Sequence, residues 1–217
     1  MADWEAFRKR HYELLGSAIV NNLNKKGYKA EYARTAVEAK DKVLELIPEN
    51  ASVGIPGSVT VRELGLLEEL EKRGNKIVHH WDPNLAGAER IQRLQEELLC
   101  DVFLTSANAV TIDGTMVNID GNGNRVAGMA WAAGKIIYVI GMNKVCPGGL
   151  EAAIARVKNF ATPPNAMRLN IKTPCASLGY CVDCDSPERV CRAMLVLERA
   201  PQGRQSHVII VGEVLGF

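Results

Sequence analysis

The sequence predicts an α/β fold built on a mostly parallel sheet. Three observations lead there. Short apolar runs recur at 52–55, 76–79, 101–105 and 135–140. Amphipathic stretches of ten or more residues separate most of them, which is the pattern of strands joined by helical crossovers. The 217 residues, 47% hydrophobic and 24% charged, supply a core for one or two domains and exclude a disordered or fibrous chain.

The elements follow in order. Trp4, Phe7, His11, Leu14, Leu15, Ala18, Ile19 and Leu23 recur near helical spacing, so a helix is expected over 3–26, ending at Asn24-Lys-Lys-Gly27. Such a length suits a helix that projects from the body or packs on a partner. Thr35 caps a second helix that Pro48 stops. A strand over 52–55 turns at Gly57-Ser58 into a helix over 60–72, ended by Gly74-Asn75. A strand over 76–79 precedes an amphipathic helix over 83–99. Strands are expected over 101–105, 116–119 and 135–140, with a buried helix over 126–133 and a further helix over 148–160.

Ala161-Thr-Pro-Pro-Asn165 reads as a breaker. Beyond it lie a loop rich in Pro, Gly and Cys, then two strands over 192–198 and 207–211 linked by a turn at Ala200-Pro-Gln-Gly203. The expected organisation is one α/β domain over 1–217. The helix over 1–26 and the cysteine loop with its strand pair over 161–217 are appendages. A tail of that size needs an external source of order.

Charge narrows the function classes. The 26 Lys and Arg balance 25 Asp and Glu, so no broad basic surface for nucleic acid is expected. The first fifteen residues contain no apolar run of a secretory signal, and no stretch of eighteen apolar residues occurs. A cytoplasmic location and no membrane partner are therefore expected. In a reducing compartment, clustered cysteines favour metal ligation or redox chemistry over disulfides.

Six cysteines are present, and four of them fall at Cys175, Cys181, Cys184 and Cys191. The CxxC pair can place two thiolates on one metal, and the flanking cysteines complete a four-sulfur set. The candidate centre is a [4Fe–4S] cluster or zinc; four free thiols or a labile disulfide is the alternative. Cys100 reads as a core residue, and Cys146, in a loop after a strand, as core or as a reactive thiol.

Parallel sheets place ligands at the C-terminal ends of their strands. Three loops there carry candidate contacts for an anion: Ser58 and Thr60, Asn108, and Lys144. Asn124 and Arg125, in the polar segment after 120, complete the set, because arginine clamps carboxylate or phosphate bidentately. Ser58 and Thr60 also serve as ordinary helix caps. Asp120-Gly-Asn-Gly-Asn resembles the start of a calcium loop, but Trp131 stands where the closing Glu belongs. One histidine of His79-His80 is a candidate general base; the alternative is that one is buried and hydrogen-bonded while the other is solvated.

Taken together, Ser58-Val-Thr-Val-Arg-Glu-Leu64, Thr105-Ser-Ala-Asn-Ala109, Asp113-Gly114, Asn118-Ile-Asp-Gly-Asn-Gly-Asn-Arg125 and Gly141-Met-Asn-Lys144 resemble the lactate-utilisation (LUD) domain family. The tail with Thr173-Pro-Cys-Ala, Cys181 and Cys184 resembles its cysteine-rich branch. The resemblance implies an α/β, Rossmann-like three-layer sandwich of the NagB/RpiA/CoA-transferase type. It also implies a metabolic protein that binds a small anionic metabolite, in oxidation of lactate or a related 2-hydroxy acid with an iron–sulfur centre. Two other readings stand beside it. One is a non-enzymatic accessory subunit docked to a redox protein or to a second copy of itself. The other is an enzyme like the sugar-phosphate isomerases or lyases, with a structural metal. No catalytic residue is assigned at this level.

Overall fold

The computed structural model of the protein describes residues 3–132 and 134–217. Met1 and Ala2 of the expected first helix, and Ala133 at the end of the expected helix over 126–133, lie outside them. The strands are β1 (Lys29–Ala33), β2 (Ser52–Gly54), β3 (Lys76–Val78), β4 (Val102–Thr105), β5 (Ala109–Thr111), β6 (Met116–Asp120), β7 (Lys135–Gly141), β8 (Val145–Cys146), β9 (Ala193–Leu197) and β10 (Ser206–Val211). The helices are α1 (Trp4–Lys25), α2 (Ala36–Leu46), α3 (Val59–Glu63), α4 (Leu66–Lys72), α5 (Gly87–Glu96), α6 (Asn124–Trp131), α7 (Leu150–Arg156), α8 (Thr162–Arg168) and α9 (Pro174–Leu178).

A six-stranded sheet in the order β1-β10-β7-β4-β2-β3 forms the middle layer, with every pairing parallel. Side chains alternate across it, as the pleat requires. Val102, Leu104, Ile137, Val139, Ile209 and Val211 face α2, α3 and α4, meeting Ala39, Val43, Val61, Leu66 and Leu70. Phe103, Ile136, Tyr138, Ile140, Val208 and Ile210 face the other way, onto Ile19 and Leu23 of α1 and Met129 of α6. Two apolar faces covered by helices define a Rossmann-like three-layer sandwich. A second sheet, β8-β5-β6-β9, packs Ala109, Val117 and Ile119 against Ala153 of α7 and Val157.

Four expectations need correction. The helix expected over 60–72 is two helices, because Gly65 adopts a left-handed φ of 61° between α3 and α4. The breaker at 161–165 does not break. The chain continues from α7 through a π-turn at Val157–Ala161 into α8, where Pro163 and Pro164 occupy the first turn and need no N–H. The Thr162 hydroxyl donates to the Val157 carbonyl at 2.9 Å within that turn. The last two strands do not pair with each other. β9 runs antiparallel to β6 in the second sheet, whereas β10 inserts between β1 and β7 of the main one. The burial of every β10 residue, against the half-exposed β9, is the physical difference. The tail is thus part of the body. β1, β5 and β8 were not expected at all; β1 sits at the sheet edge, and the others are three and two residues long.

Two ends of α1 behave differently. Asp3 caps it, accepting from the Glu5 and Ala6 amides at 3.1 Å. Ile19 and Leu23 are buried, while Trp4, Phe7 and Leu14 remain exposed. The C-terminal half packs on the sheet and the N-terminal half stands clear.

Candidate functional site

The C-terminal ends of β2, β3, β4 and β7 open onto one cleft of about 580 Å³. That volume suits a small metabolite. Ser58, Thr60, Asn108, Asn124, Arg125 and Lys144 all line it. The three-residue strands β2 and β3 deliver Gly57–Thr60 and His80, and the longer β4 and β7 deliver Ser106–Asn108 and Lys144.

Lys144 lies in the turn after β7 and is 3% exposed. Its Nζ donates to the Thr60 hydroxyl at 2.7 Å and the Ser106 hydroxyl at 2.9 Å. Burial, then the positive fields of Arg156 and Arg125, bring its pKa from 10.5 down to about 7. A buried ammonium in the positive field of two arginines gains from a negative charge placed beside it.

The neighbouring cations reinforce this. Arg62, Arg90, Arg125, Arg168 and Lys144 border the cleft against the carboxylates Asp82 and Asp120. Among the described residues, none of those five cations forms an ion pair within 4.0 Å. Arg62 instead stacks over the Trp81 ring at 4.9 Å. Arg168 is held by the Asn165 side chain at 2.8 Å, and its pKa is lowered by burial and by Arg62. Asp120 is engaged as a cap, accepting the Gly121 and Arg125 amides at 3.0 and 2.9 Å.

Some predicted contacts are already committed within the protein. The Ser58 hydroxyl accepts the Val61 amide at 3.3 Å and so caps α3. Asn108 Oδ1 accepts from the Ile119 amide and from Arg125, both at 3.0 Å. Its amide donates to Asn118 Oδ1 at 2.9 Å, locking the loop after β4 onto β6. Arg125 therefore shapes the cleft wall as well as facing it. Asn124 reaches Glu97 Oε2 at 3.5 Å.

That last contact leads to a residue the sequence analysis did not single out. Glu97 follows α5, is fully buried, and receives His80 Nδ1 at 2.6 Å. Burial pushes the Glu97 carboxyl up, and the bond to His80 works against that shift. Glu97 reaches this position because Gly54 has no side chain; a Cβ there would sit 2.1 Å from the Glu97 carbonyl oxygen. Only the tertiary fold brings residues 54, 80 and 97 together.

The cysteine region is less converged. Cys175 is buried, and Cys181, Cys184 and Cys191 are half-buried. The Asp183 amide points at Cys181 Sγ at 3.4 Å, and Cys191 is pushed up by burial and, more weakly, by Cys181 and Cys175. Four thiols on one loop are the donor chemistry of a soft metal. Their spacing is not: among the described residues no three His, Cys, Asp or Glu side chains gather into a metal-holding group. Cys100 and Cys146 are both buried, and burial raises both thiols, which makes them poor nucleophiles. No described helix is long and apolar enough to cross a membrane.

A three-layer α/β body with a cationic cleft above its parallel sheet defines the class. Comparison narrows it. Residues 17–211 match the family described as the LUD domain, and the chain belongs to that family. The association of that family with lactate utilisation supports a metabolic role. No curated protein matches. Among solved structures the chain resembles a DUF162 family protein from Deinococcus radiodurans, with 12% identity and a TM-score of 0.53, covering 92% of this chain and 98% of that one. At that identity the likeness shows the fold.

Proposed function

We propose that the protein binds a small anionic metabolite, through its carboxylate or phosphate, in the cleft above the sheet. The observation that carries this reading is the buried Lys144, hydrogen-bonded only to Thr60 and Ser106 among the described residues, in a cleft also lined by Arg62, Arg90, Arg125 and Arg168. Fixed donors that have lost their water bind an anion without reorganising. Ser58, Thr60, Asn108, Asn124 and Arg125 shape the binding wall around it, with Arg62 and Arg168 as further cations. A 2-hydroxy acid such as lactate is the family-derived member of this ligand class, and oxidation of such an acid is its family-derived chemistry.

Calorimetric titration with inorganic phosphate, lactate and ribose 5-phosphate tests the reading. At least one is expected to bind at pH 6.5, and Lys144→Met is expected to weaken it at least tenfold. Arg168→Gln reports on the cleft without touching the Asn108–Arg125 wall. Equal affinity in wild type and both variants would count against the site.

The cysteine loop supports a second reading, a soft metal, iron–sulfur or zinc, held by Cys175, Cys181, Cys184 and Cys191. Its support is the donor set, and the thiols must close up to share a metal. Metal analysis of anaerobically purified protein decides: iron with sulfide, or one zinc, supports a centre, and neither supports free thiols. The exposed Trp4, Phe7 and Leu14 of α1 support docking to a redox partner or to a second copy, which light scattering and pull-down of the intact chain would show.

A further inference from the structure

We propose that His80 and Glu97 form a proton-transfer dyad in this cleft, with His80 Nε2 the general base and Glu97 the residue that positions it. The substrate class is a phosphorylated 2-hydroxyaldehyde or 2-hydroxyketone. This deepens the anion-binding reading and rests on it.

Four observations carry the dyad. His80 borders the cleft, and its side chain is 13% exposed. Its Nδ1 lies 2.6 Å from Glu97; with Glu97 ionised, Nδ1–H donates to the carboxylate and Nε2 is left to accept a proton. Nε2 makes no hydrogen bond to another described residue and lies on the cleft lining. Glu97 is fully buried, which is costly for a carboxylate, and both of its oxygens are held, one by His80 and the other by Asn124 at 3.5 Å.

Placement specifies the chemistry. A Cβ on Gly57 would lie 3.5 Å from His80 Nε2, and Thr60, three residues on, bonds Lys144 Nζ. A base and a cation therefore stand at the two ends of the segment 57–60 on the wall of one cleft, where together they serve removal of a proton beside a carbonyl. His80 Nε2 takes the proton from the carbon bearing the hydroxyl, and the C–H electron pair becomes the C=C bond. The carbonyl π pair moves onto oxygen, where the Lys144 ammonium stabilises the enediolate. The imidazolium returns the carbon-bound proton to the former carbonyl carbon. The Lys144 ammonium gives a proton to the former carbonyl oxygen and takes back the proton of the adjacent hydroxyl, which becomes the new carbonyl. Every atom and electron is accounted for within the substrate, His80 and Lys144, so no oxidant is required. With Lys144 at the carbonyl oxygen, Arg62, Arg90 and Arg168 are the cations that remain on the lining, and they favour a phosphate dianion as the remote group.

The test follows carbon-bound deuterium from D₂O into ribose 5-phosphate, dihydroxyacetone phosphate and lactate, by NMR, with calorimetric binding measured on the same samples. At least one phosphate ester is expected to bind and to exchange. His80→Gln should keep that affinity within threefold and slow exchange at least 100-fold. Glu97→Gln keeps an acceptor for Nδ1 but loses the charge. It should lower the saturated exchange rate about tenfold and leave the half-saturating concentration unchanged, a split that a merely structural role would not produce. A phosphate ester that binds without exchanging, or exchange that survives His80→Gln, overturns the dyad and leaves the anion site standing. Binding by none of the three overturns the anion-site reading and the dyad with it.

Discussion

Replacing Lys144 by Met removes a cation buried without a carboxylate partner, and its effect on stability can be worked out with its sign. The folded pKa is about 7 against an ordinary 10.5, lowered by burial, Arg156 and Arg125, with Glu63 opposing. Below pH 7 both folded and unfolded chains carry the proton, and the folded state bears the full cost of the buried charge. Between pH 7 and 10.5 only the unfolded chain keeps it, so stability rises with pH across that window. A drop from 10.5 to about 7 corresponds to roughly 5 kcal/mol of destabilisation at low pH. At pH 9 about 2 kcal/mol of it remains. Wild type should therefore gain about 3 kcal/mol relative to Lys144→Met between pH 6 and pH 9. The hydroxyls left behind do not spoil the comparison, because Thr60 and Ser106 retain the Leu215 and Ala107 carbonyls as acceptors. Urea unfolding of both proteins at the two pH values measures the double difference, in which other titrating groups cancel. A value under about 0.5 kcal/mol would show that Lys144 is solvated or paired, and the argument for an anion site would lose its main support.

Two further predictions concern how the site is held. Gly54→Ala places a Cβ 2.1 Å from the Glu97 carbonyl oxygen and should cost about 3 kcal/mol in urea unfolding. Gly149→Ala meets nothing within 4 Å and should cost under about 1 kcal/mol; equal effects would refute the packing account. Asp113 accepts from Lys26 Nζ at 2.7 Å, tying the end of α1 to the turn between β5 and β6, and its pKa falls from 3.8 to about 2. That contribution is present above pH 3.8 and fades as pH drops through about 2. Because the Asp113 side chain is 64% exposed, Asp113→Asn should cost under about 1 kcal/mol at pH 6 and nothing below pH 2. An undiminished difference at the lower pH would assign the effect to something other than the ion pair.

The long periodic elements were legible. α1, α2 and the strands β2, β4 and β7 carry their hydrophobic period and caps in the local sequence, as Thr35 shows by accepting the Glu38 amide at 3.2 Å. The split at Gly65 was signalled by a glycine inside a helical pattern, but the pattern alone does not say whether the backbone turns left-handed there. Pro163-Pro164 misled because proline ends a helix only where an N–H is needed, and the first turn of a new helix needs none. The tail strands misled for another reason. Sequence adjacency suggested a hairpin, while the continuous apolar run of β10 is that of a strand buried on both faces.

The site divides the same way. Polar and glycine-rich loops at strand ends are local features; Ser58, Thr60, Asn108 and Lys144 could be picked from them because a parallel sheet gathers its strand ends on one side, whereas Asn124 and Arg125 reach the same cleft from the end of β6 in the second sheet. Glu97, Arg90 and Arg168 could not be, since nothing in an amphipathic helix marks which charged side chain will turn inward. The amino-acid sequence by itself determined the layered α/β body and the loops that carry its chemistry, through hydrophobic period and chain punctuation. Only the tertiary structure decided that Lys144 would be left without a carboxylate and that Glu97 would stand behind His80, because burial and pairing depend on neighbours distant in the chain.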